Sequence, residues 1–451
     1  MFVLILLMLL YTARPIWSFP ISLSNDTIPV PVPPSDDPFY VPPDGFENEP
    51  IGTILRYRTV NNPGYLILRA NVKETVELLY RTRNTSGAPI ATVTTVLVPH
   101  NPDVSKVLSY QILEDASYIN CAPSYGIQFK ASPEAIVAQG EFLLMASALN
   151  EGWIVVTPDY QGPYSAFTAG YLSGYATLDS IRAVLRSGNI TGIQPNSTVS
   201  MWGYSGGALA TGWAAELQPE YAPELSIAGI AAGGYVPNIT DVAFKVNRGP
   251  FASLVPAAIH GLSKEYSELE ELINLQLVSS EADAFQSIQT QCLLQCGLAF
   301  AFQDWGKLFH NGAGFLTNPT AKRITSENSM GKHTPKAPML IYHAVHDEIS
   351  DIKNVDWVYD KYCSGGADID FVRDLTTEHA TQLVAGSAQA FNWLKDRMDG
   401  KPVKKGCRKR TLLSSAYQNG TLETFGHEIG SALMALTFQP LGRADNNNST
   451  R

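Results

Sequence analysis

In Thr198-Val-Ser-Met-Trp-Gly-Tyr-Ser-Gly-Gly-Ala-Leu-Ala210 an apolar run is followed by a glycine-rich turn and then by a run of small residues. The apolar run predicts a buried strand, and the small residues predict a helix that packs closely on it. Glycines flanking Ser205 permit a sharp turn that lifts its hydroxyl above the strand end. Because the chain has 35 glycines, the pentapeptide Gly203–Gly207 could occur by chance and is weak evidence for a catalytic serine. The interpretation therefore depends on the segments on either side of it. With strand and helix on either side, we predict that Ser205 is a nucleophile.

Strand-like and helix-like segments alternate on both sides of this turn. Predicted strands are Tyr65–Leu68, Val76–Tyr80, Ala91–Val98, Val107–Leu113, Trp153–Thr157, Ile227–Ala232, Pro338–His343 and Ile369–Val372. Predicted helices are Pro133–Leu149, Thr177–Ser187, Val355–Tyr362 and Thr381–Arg397. Such alternation indicates a mostly parallel sheet with helices on both faces. Together with the serine turn it predicts an α/β-hydrolase fold.

The alternation stops between about 238 and 330. Apolar residues recur there at helical spacing with glutamates between them, namely Leu262, Tyr266, Leu269, Leu272 and Ile273. This pattern indicates amphipathic helices. We therefore predict a helical insertion over 238–330, which divides the core into a first part, 51–237, and a second part with the C-terminal tail, 331–451.

The N-terminus has the character of a secretory signal. The apolar run Phe2–Leu10 is nine residues long, too short to span a bilayer, although no Lys or Arg precedes it. We predict a signal peptide over 1–18 and an extended leader rich in Pro, Asp and Ser over 19–50. No second segment is long and apolar enough for a membrane span, so we expect a secreted, extracellular protein.

Glycosylation sequons and cysteines agree with a secretory route. Sequons occur at Asn25, Asn84, Asn189, Asn196, Asn238, Asn419, Asn447 and Asn448. The five cysteines are Cys121, Cys292, Cys296, Cys363 and Cys407, which allow two disulfides and one free thiol. None has the Cys-His spacing of a zinc site, so no metal is predicted. A formal charge of −10 disfavours a nucleic-acid partner.

A nucleophilic serine needs an imidazole base, and in this fold the chain order is serine, acid, histidine. His379 follows the predicted strand Ile369–Val372 through a short polar loop, where reacting residues gather. His427 lies in a glycine-rich tail without a preceding strand, so a surface or packing role is favoured for it. We predict that His379 is the base.

The acid is expected after the preceding strand, which leads into Ala-Val-His-Asp347-Glu-Ile. We choose Asp347, with Glu348 and Asp351 as adjacent competitors. Any of these acids is also suited to a plain helix cap. The 32-residue step from Asp347 to His379 accommodates one helix and one strand, as a parallel connection requires.

The tetrahedral intermediate formed when a serine attacks a carbonyl carries negative charge on one oxygen, and two backbone N–H groups normally stabilise it. One is expected from Gly206, the residue after the nucleophile. The other is expected after the strand Val107–Leu113, which ends in Glu-Asp115-Ala. We predict that Asp115 supplies its N–H, although an Asp at a strand end is often only a cap.

Several segments taken together resemble a known family. They are Ser109-Tyr-Gln-Ile-Leu-Glu-Asp-Ala116, Pro158-Asp-Tyr-Gln-Gly162, Gly203-Tyr-Ser-Gly-Gly-Ala208, Tyr342-His-Ala-Val-His-Asp-Glu348 and Glu378-His-Ala380. The set resembles the fungal secretory lipases, the group typified by Candida antarctica lipase A, from about residue 40 to beyond 400. The resemblance implies a lipase or esterase acting on acylglycerols, with no metal or organic cofactor.

The resemblance also implies site residues. Ser205, Asp347 and His379 would form the triad, and the N–H groups of Asp115 and Gly206 the oxyanion hole. The insertion over 238–330 would be a helical lid over an acyl-binding tunnel. The family pattern of two disulfides implies that Cys363 pairs with Cys407, and that Cys121 pairs with Cys292 or Cys296.

These observations lead to three hypotheses about the function. The first is a secreted lipase or carboxylesterase that releases fatty acids through an acyl-enzyme, with a lipid or ester substrate and transient contact with a lipid interface. The second is an acyltransferase, in which an alcohol or amine outcompetes water, because both reactions share the acyl-enzyme. The third, a non-catalytic lipid-binding protein, is disfavoured because every expected triad position is filled.

Overall fold

A computed structural model describes residues 28–418 and 420–443. The expected signal peptide over 1–18 and the start of the leader lie outside the described residues. The sequons at Asn25, Asn419, Asn447 and Asn448 lie outside them as well.

Twelve strands are found in the described part of the chain. They are β1 Ile54–Thr59, β2 Gly64–Tyr65, β3 Leu68–Arg69, β4 Glu74–Arg83, β5 Pro89–Val98, β6 Asp103–Gln111, β7 Trp153–Pro158, β8 Thr198–Tyr204, β9 Ile227–Gly233, β10 Met339–Ala344, β11 Ile369–Asp374 and β12 Arg408–Leu412. Ten form one sheet in the order β1-β4-β5-β7-β6-β8-β9-β10-β11-β12, and β2 pairs with β3 separately.

The large sheet is mostly parallel, as predicted. From β7 to β12 every neighbouring pair runs parallel, whereas β1, β4 and β5 are joined antiparallel. Strands β7 and β10 are buried at every residue. Continuous apolar sequence is expected of such strands because helices cover both faces of a parallel sheet.

Three strand assignments differ from the sequence prediction. Strand β1 was not predicted, because it lies at an edge of the large sheet and none of its residues is buried. Tyr65–Leu68 is not one strand but the two short strands β2 and β3, because Leu66 has a φ of 53° and the chain turns back there. Strand β12 was not predicted, since Arg408-Lys-Arg-Thr-Leu is charged and almost fully exposed. Charged side chains are typical of an edge strand, where they prevent pairing with another chain.

Fifteen α-helices are found in the described part of the chain. They are α1 Pro123–Gly126, α2 Ile136–Asn150, α3 Gly170–Leu185, α4 Gly188–Thr191, α5 Gly206–Tyr221, α6 Ile239–Lys245, α7 Leu254–Ser263, α8 Ser267–Gln276, α9 Ala282–Ser287, α10 Leu293–Phe300, α11 Pro319–Glu327, α12 Ile352–Ser364, α13 His379–Ala385, α14 Ser387–Met398 and α15 Thr421–Leu436. None of the described helices is long and apolar enough to cross a membrane.

The sheet separates two apolar cores. On one face α3 and α5 contribute side chains such as Leu178 and Trp213. On the other face α2 and α14 contribute side chains such as Phe142 and Phe391. Helices α6 to α11 all lie between β9 and β10, and their apolar side chains extend the first core, for example Leu262 and Ile324. The inserted helices therefore cover the same side of the sheet as α3 and α5.

Two disulfides are present. Cys121 is bonded to Cys292, with 5.6 Å between the Cα atoms, which links the segment after β6 to the start of α10. Cys363 is bonded to Cys407 and links the end of α12 to the start of β12. Cys296 is a free, buried thiol. Of the two partners left open for Cys121, the structure has Cys292, because Cys296 lies one helical turn further on and packs into the first core.

The four sequons within the described residues differ in exposure. Asn189 and Asn196 are exposed. Asn84 and Asn238 are partly buried, and their side-chain oxygens accept hydrogen bonds from the N–H groups of Ala88 and Thr240. Glycosylation at these positions stays a prediction.

Candidate active site

Ser205 lies at the junction of β8 and α5, with a φ of 54°. Close packing explains the flanking glycines. A Cβ atom on Gly203 would lie 2.3 Å from the carbonyl oxygen of Gly207, and one on Gly207 would lie 2.0 Å from that of Gln111. The strand, the turn and the helix can approach this closely only without side chains. The predicted strand–turn–helix is therefore present, with Ser205 at its apex.

A continuous hydrogen-bonded path joins Ser205 to His379 and Asp347. The Oγ of Ser205 lies 2.8 Å from Nε2 of His379, and Nδ1 of His379 lies 2.7 Å from Oδ2 of Asp347. All three side chains are buried, Ser205 being 6% exposed. They follow β8, β10 and β11, whose carboxyl ends meet at one edge of the sheet. This geometry suits proton transfer from a serine hydroxyl to an imidazole.

Asp347 is held in its ionised form. Its Oδ1 accepts hydrogen bonds from the N–H groups of Ile349 at 2.8 Å and Ser350 at 2.7 Å. Burial opposes the charge, but the nearby imidazoles of His379 and His343 and these N–H donors outweigh it and lower the pKa of Asp347 to about 2. A carboxylate that stays ionised near neutral pH can orient and stabilise an imidazolium.

The backbone of His379 is fixed by two neighbours. The hydroxyl of Tyr204 donates to its carbonyl oxygen at 2.6 Å. Its N–H donates to the carboxylate of Glu348, which lies at the N-terminus of α13. An acidic side chain is favoured at that end of a helix. Glu348, considered from sequence as a competing acid, thus supports the histidine's helix, while Asp351 caps α12 through the N–H of Lys353.

His427 lies away from this path. Its ring stacks on Phe391 at 5.8 Å, and Nε2 is 3.6 Å from a carboxylate oxygen of Glu151. It is half-buried on α15, outside the loops at the carboxyl edge of the sheet. The structure therefore brings His379, and not His427, to Ser205.

Asp115 and Gly206 lie against each other beside Ser205. A Cβ atom on Gly206 would lie 1.7 Å from Oδ1 of Asp115, so only glycine fits there. Asp115 has a φ of 43°, a conformation that non-glycine residues adopt only when their surroundings impose it. Among the described residues, neither of the two N–H groups donates to a protein acceptor. Both are thus free to bind an oxyanion.

The carboxyl group of Asp115 is unusual for this position. It is buried, and within the described residues its Oδ1 has no hydrogen-bond partner. Burial raises the pKa of Asp115 to about 7, and the nearby imidazole of His379 only partly opposes the shift. The sequence singled out the N–H of Asp115 but gave no sign that its carboxyl would be desolvated.

An apolar cavity begins at Ser205, with an empty volume of about 620 Å³ that includes open solvent. Its wall on the core side includes Asp115, Phe167, Thr168, Gly206 and Leu209. Most of the rest comes from the inserted helices and nearby segments: Val236, Ile239, Val242, Ala243, Leu254, Val255, Ala258, Ile259, Leu262, Leu316, Thr325 and Ile349. Such a lining suits a hydrocarbon chain.

Sequence reasoning missed the residues that support the site. Tyr204 occupies the variable position of the serine motif, and no pattern links it to His379. His343 is buried beside Asp347, with Nε2 3.5 Å from Oδ2 of that residue. Nε2 of His343 also lies 3.0 Å from the carbonyl oxygen of Ser350. No group of three or more possible metal ligands occurs among the described side chains.

Comparisons with known proteins show which family the chain is similar to. A family model for secretory lipases matches residues 127–406. Lipase A of Arthroderma benhamiae is 43% identical over 437 residues, covering 95% of this chain and 92% of that protein. Lipase 1 of Candida albicans is 41% identical over 396 residues, covering 85% of each.

A solved structure is similar along most of the chain. The X-ray structure of Candida antarctica lipase A in its closed state aligns with a TM-score of 0.81 at 28% identity. The alignment covers 92% of this chain and 100% of that one. The predicted α/β-hydrolase fold and the resemblance stated from sequence are both confirmed.

Proposed function

The chain belongs to the secretory lipase family and is an ester hydrolase of the lipase kind, and we propose that it cleaves acylglycerol esters through an acyl-enzyme on Ser205. The observation that carries the proposal is the unbroken path from the Oγ of Ser205 through His379 to Asp347. The family's description as secretory lipases, with the apolar N-terminus, supports secretion of this chain.

In the first step the Oγ of Ser205 attacks the ester carbonyl carbon while Nε2 of His379 accepts the hydroxyl proton. Asp347 stabilises the imidazolium through Nδ1. The carbonyl oxygen becomes negatively charged and accepts hydrogen bonds from the N–H groups of Asp115 and Gly206. As the tetrahedral intermediate collapses, the bond to the alcohol oxygen breaks and that oxygen takes the proton from Nε2.

In the second step a water molecule takes the alcohol's place. Nε2 of His379 accepts a proton from the water as its oxygen attacks the acyl carbon. The same two N–H groups bind the second oxyanion. When this intermediate collapses, Ser205 regains its proton from Nε2 and the free fatty acid is released.

The acyl chain is expected to lie in the apolar cavity beside Ser205. Each methylene moved from water into such a cavity contributes about 0.8 kcal/mol, so long chains gain affinity from it. Because helices of the insertion line the cavity, we propose that residues 238–330 act as the lid and acyl-binding unit. The core segments 51–237 and 331–451 would carry the reacting groups.

The decisive experiment compares Ser205→Ala with Ser200→Ala on purified protein. Ser200 lies on the same strand, is fully buried, and has a hydroxyl without a hydrogen-bond partner among the described residues, which makes it a matched control. We expect Ser205→Ala to abolish hydrolysis of p-nitrophenyl esters and labelling by a fluorophosphonate, with folding unchanged. Ser200→Ala should retain both. Hydrolysis by folded Ser205→Ala would contradict the proposal.

The role of the cavity is tested with esters of increasing chain length. Ala258 lines the cavity, so Ala258→Phe should displace about two methylenes and lower kcat/KM for a hexadecanoate ester about 10-fold. The rate on an acetate ester should change less than about twofold, because acetate does not reach into the cavity. Ala299→Phe, at an exposed position of α10, is the control. Equal losses on both esters would exclude an acyl site here.

The same assay separates hydrolysis from acyl transfer. Added alcohol competes with water for the acyl-enzyme, so fatty acid and new ester are quantified together. For a hydrolase we expect free acid to remain the main product in dilute alcohol. Predominant formation of the new ester would instead identify an acyltransferase.

A further inference from the structure

The turn that carries Asp115 is bound by the inserted helices as well as by the core. We call residues 114–117, Glu-Asp-Ala-Ser, the oxyanion turn. Three contacts connect it to the insertion. Nδ1 of His260 on α7 lies 2.8 Å from Oγ of Ser117, and Nζ of Lys264 donates to the carbonyl oxygen of Ser117 at 2.8 Å. In the third contact, Ala116 packs against the disulfide of Cys121 and Cys292.

These contacts join segments that are far apart in sequence. The bonds to His260 and Lys264 span 143 and 147 residues. Lys264 also donates to the carbonyl oxygen of Tyr164 at 2.6 Å, so one ammonium group connects two loops of the core. The three groups that hold Ser117 and Ala116 thus come from two places in the insertion, α7 and the start of α10.

The backbone on both sides of this contact is in an unfavourable conformation. Asp115, Ser165 and Thr168 are non-glycine residues with φ values of 43°, 49° and 67°. Such conformations are strained for residues other than glycine and persist only when neighbouring groups impose them. Helix α7 fits tightly here, because a Cβ atom on Gly261 would lie 2.5 Å from the backbone nitrogen of Phe167.

We propose that Lys264 and His260 are positioning residues, which act through Ser117 to hold the backbone N–H of Asp115 in the oxyanion hole. This inference rests on the proposed function, because it assigns a role within the same site. Neither residue lines the cavity beside Ser205 or contacts the Ser205–His379–Asp347 path. Their effect is on the geometry of an N–H group that binds charge only in the transition state.

Electrostatics around the turn are consistent with this role. Glu114 is buried, and its Oε1 accepts a hydrogen bond from Ser165 at 3.1 Å. Burial lowers the pKa of Lys264 to about 8, against the opposing effect of Glu114. Burial likewise lowers the pKa of His260 to about 4, so its imidazole is neutral near pH 7. A neutral ring can bond to the Ser117 hydroxyl without placing a second charge beside the ammonium.

The test compares Lys264→Met with Lys332→Met. Lys332 is a matched control because its Nζ also donates to two carbonyl oxygens, those of Ser326 and Ser329, but within its own segment. Displacing an aligned group by about 1 Å lowers rates up to about 100-fold, so we expect kcat of Lys264→Met to fall about 10- to 100-fold. KM for a short-chain ester should change less than threefold. Lys332→Met should match the wild type.

A transition-state analogue distinguishes positioning from a general loss of structure. A boronic acid binds Ser205 as a tetrahedral adduct, so its affinity should fall by the same factor as kcat/KM. Rates are normalised to the sites titrated by a fluorophosphonate, which removes any unfolded fraction. Lys264→Arg should recover part of the rate, because the guanidinium offers several donors to the same two carbonyl groups.

A second variant keeps the test valid if Lys264→Met does not fold. The ring centroids of His260 and Phe285 are 5.8 Å apart, and His260→Phe keeps a ring at that position. The substitution removes the bond to Ser117, so we expect kcat to fall about 3- to 10-fold. Unchanged kcat and unchanged analogue affinity per titrated site in these variants would overturn the inference. If Ser205→Ala is inactive at the same time, only the inference fails. Activity in Ser205→Ala would remove the proposed function itself.

Discussion

The two halves of the candidate site are held by different parts of the molecule. Ser205, His379 and Asp347 follow strands of the core sheet, and their supporting groups, Tyr204 and Glu348, also belong to the core. The oxyanion turn also belongs to the core, yet its position depends on the inserted helices through Ser117 and Ala116. Changes in the insertion should therefore lower the rate without altering the proton-transfer path.

The largest expected effect tests the core half of the candidate site, which consists of Ser205, His379 and Asp347. We predict that His379→Ala lowers kcat by about 10⁵-fold, since removal of one triad member disables the nucleophile. His427→Ala should leave kcat within about threefold, because that ring packs on Phe391 and has no contact with Ser205. Steady-state kinetics on both variants measures this contrast. A comparable loss in the two variants would mean that the base has been wrongly assigned.

The next effect tests the oxyanion half of the site, the N–H groups of Asp115 and Gly206, through the pH dependence of the rate. Because burial raises the pKa of Asp115 to about 7, its carboxyl is neutral below that pH and becomes negative above it, beside the N–H of Gly206. At pH 9 only about 1% of the Asp115 carboxyl stays neutral. The ionised carboxylate repels the oxyanion that forms beside it, so kcat/KM should fall as much as about 100-fold. We predict that Asp115→Asn, which cannot ionise, loses this alkaline decline in kcat/KM.

Glu428→Gln is the control for that pH profile. Burial raises the pKa of Glu428 to about 7 as well, but the residue lies on α15 and accepts a hydrogen bond from Ser387. For both acids the folded-state pKa exceeds the unfolded value, so their contribution to stability is complete below about pH 4 and is lost as pH rises through 7. Both variants should change the pH dependence of unfolding, but only Asp115→Asn should change that of catalysis. An unchanged rate profile in Asp115→Asn would refute the assignment.

The smallest effect on rate distinguishes the two disulfides. Removing either pair by Cys→Ser substitution is expected to lower the free energy of unfolding by about 2–5 kcal/mol. Loss of the Cys121–Cys292 bond should also lower kcat up to about 10-fold, because Ala116 of the oxyanion turn packs on it. Loss of the Cys363–Cys407 bond should leave kcat per titrated site within about twofold, since that bond lies between α12 and β12. Equal kinetic effects would contradict a special role for the insertion.

Local sequence was enough to choose the residues of the core half. A strand-like run, a glycine turn and small helical residues identify Ser205, and the order of strands along the chain selects Asp347 and His379. These signals are local because each residue sits just after a strand, and the carboxyl ends of parallel strands meet at one edge. The confirmed mostly parallel sheet follows from the same alternation. The charged strand β12 was not predicted, because this edge strand lacks an apolar pattern.

The contacts that hold the oxyanion half of the site could not be predicted from the sequence. The choice of Cys292 over Cys296, the burial of the Asp115 carboxyl, and the contacts of His260 and Lys264 with Ser117 have no sequence pattern. They depend on side chains more than 140 residues apart meeting after the insertion has packed on the core. The residues at the ends of the strands could be assigned from sequence, since periodicity is a local property. Long-range packing determined what those residues touch, because burial and hydrogen-bond geometry exist only in the folded chain.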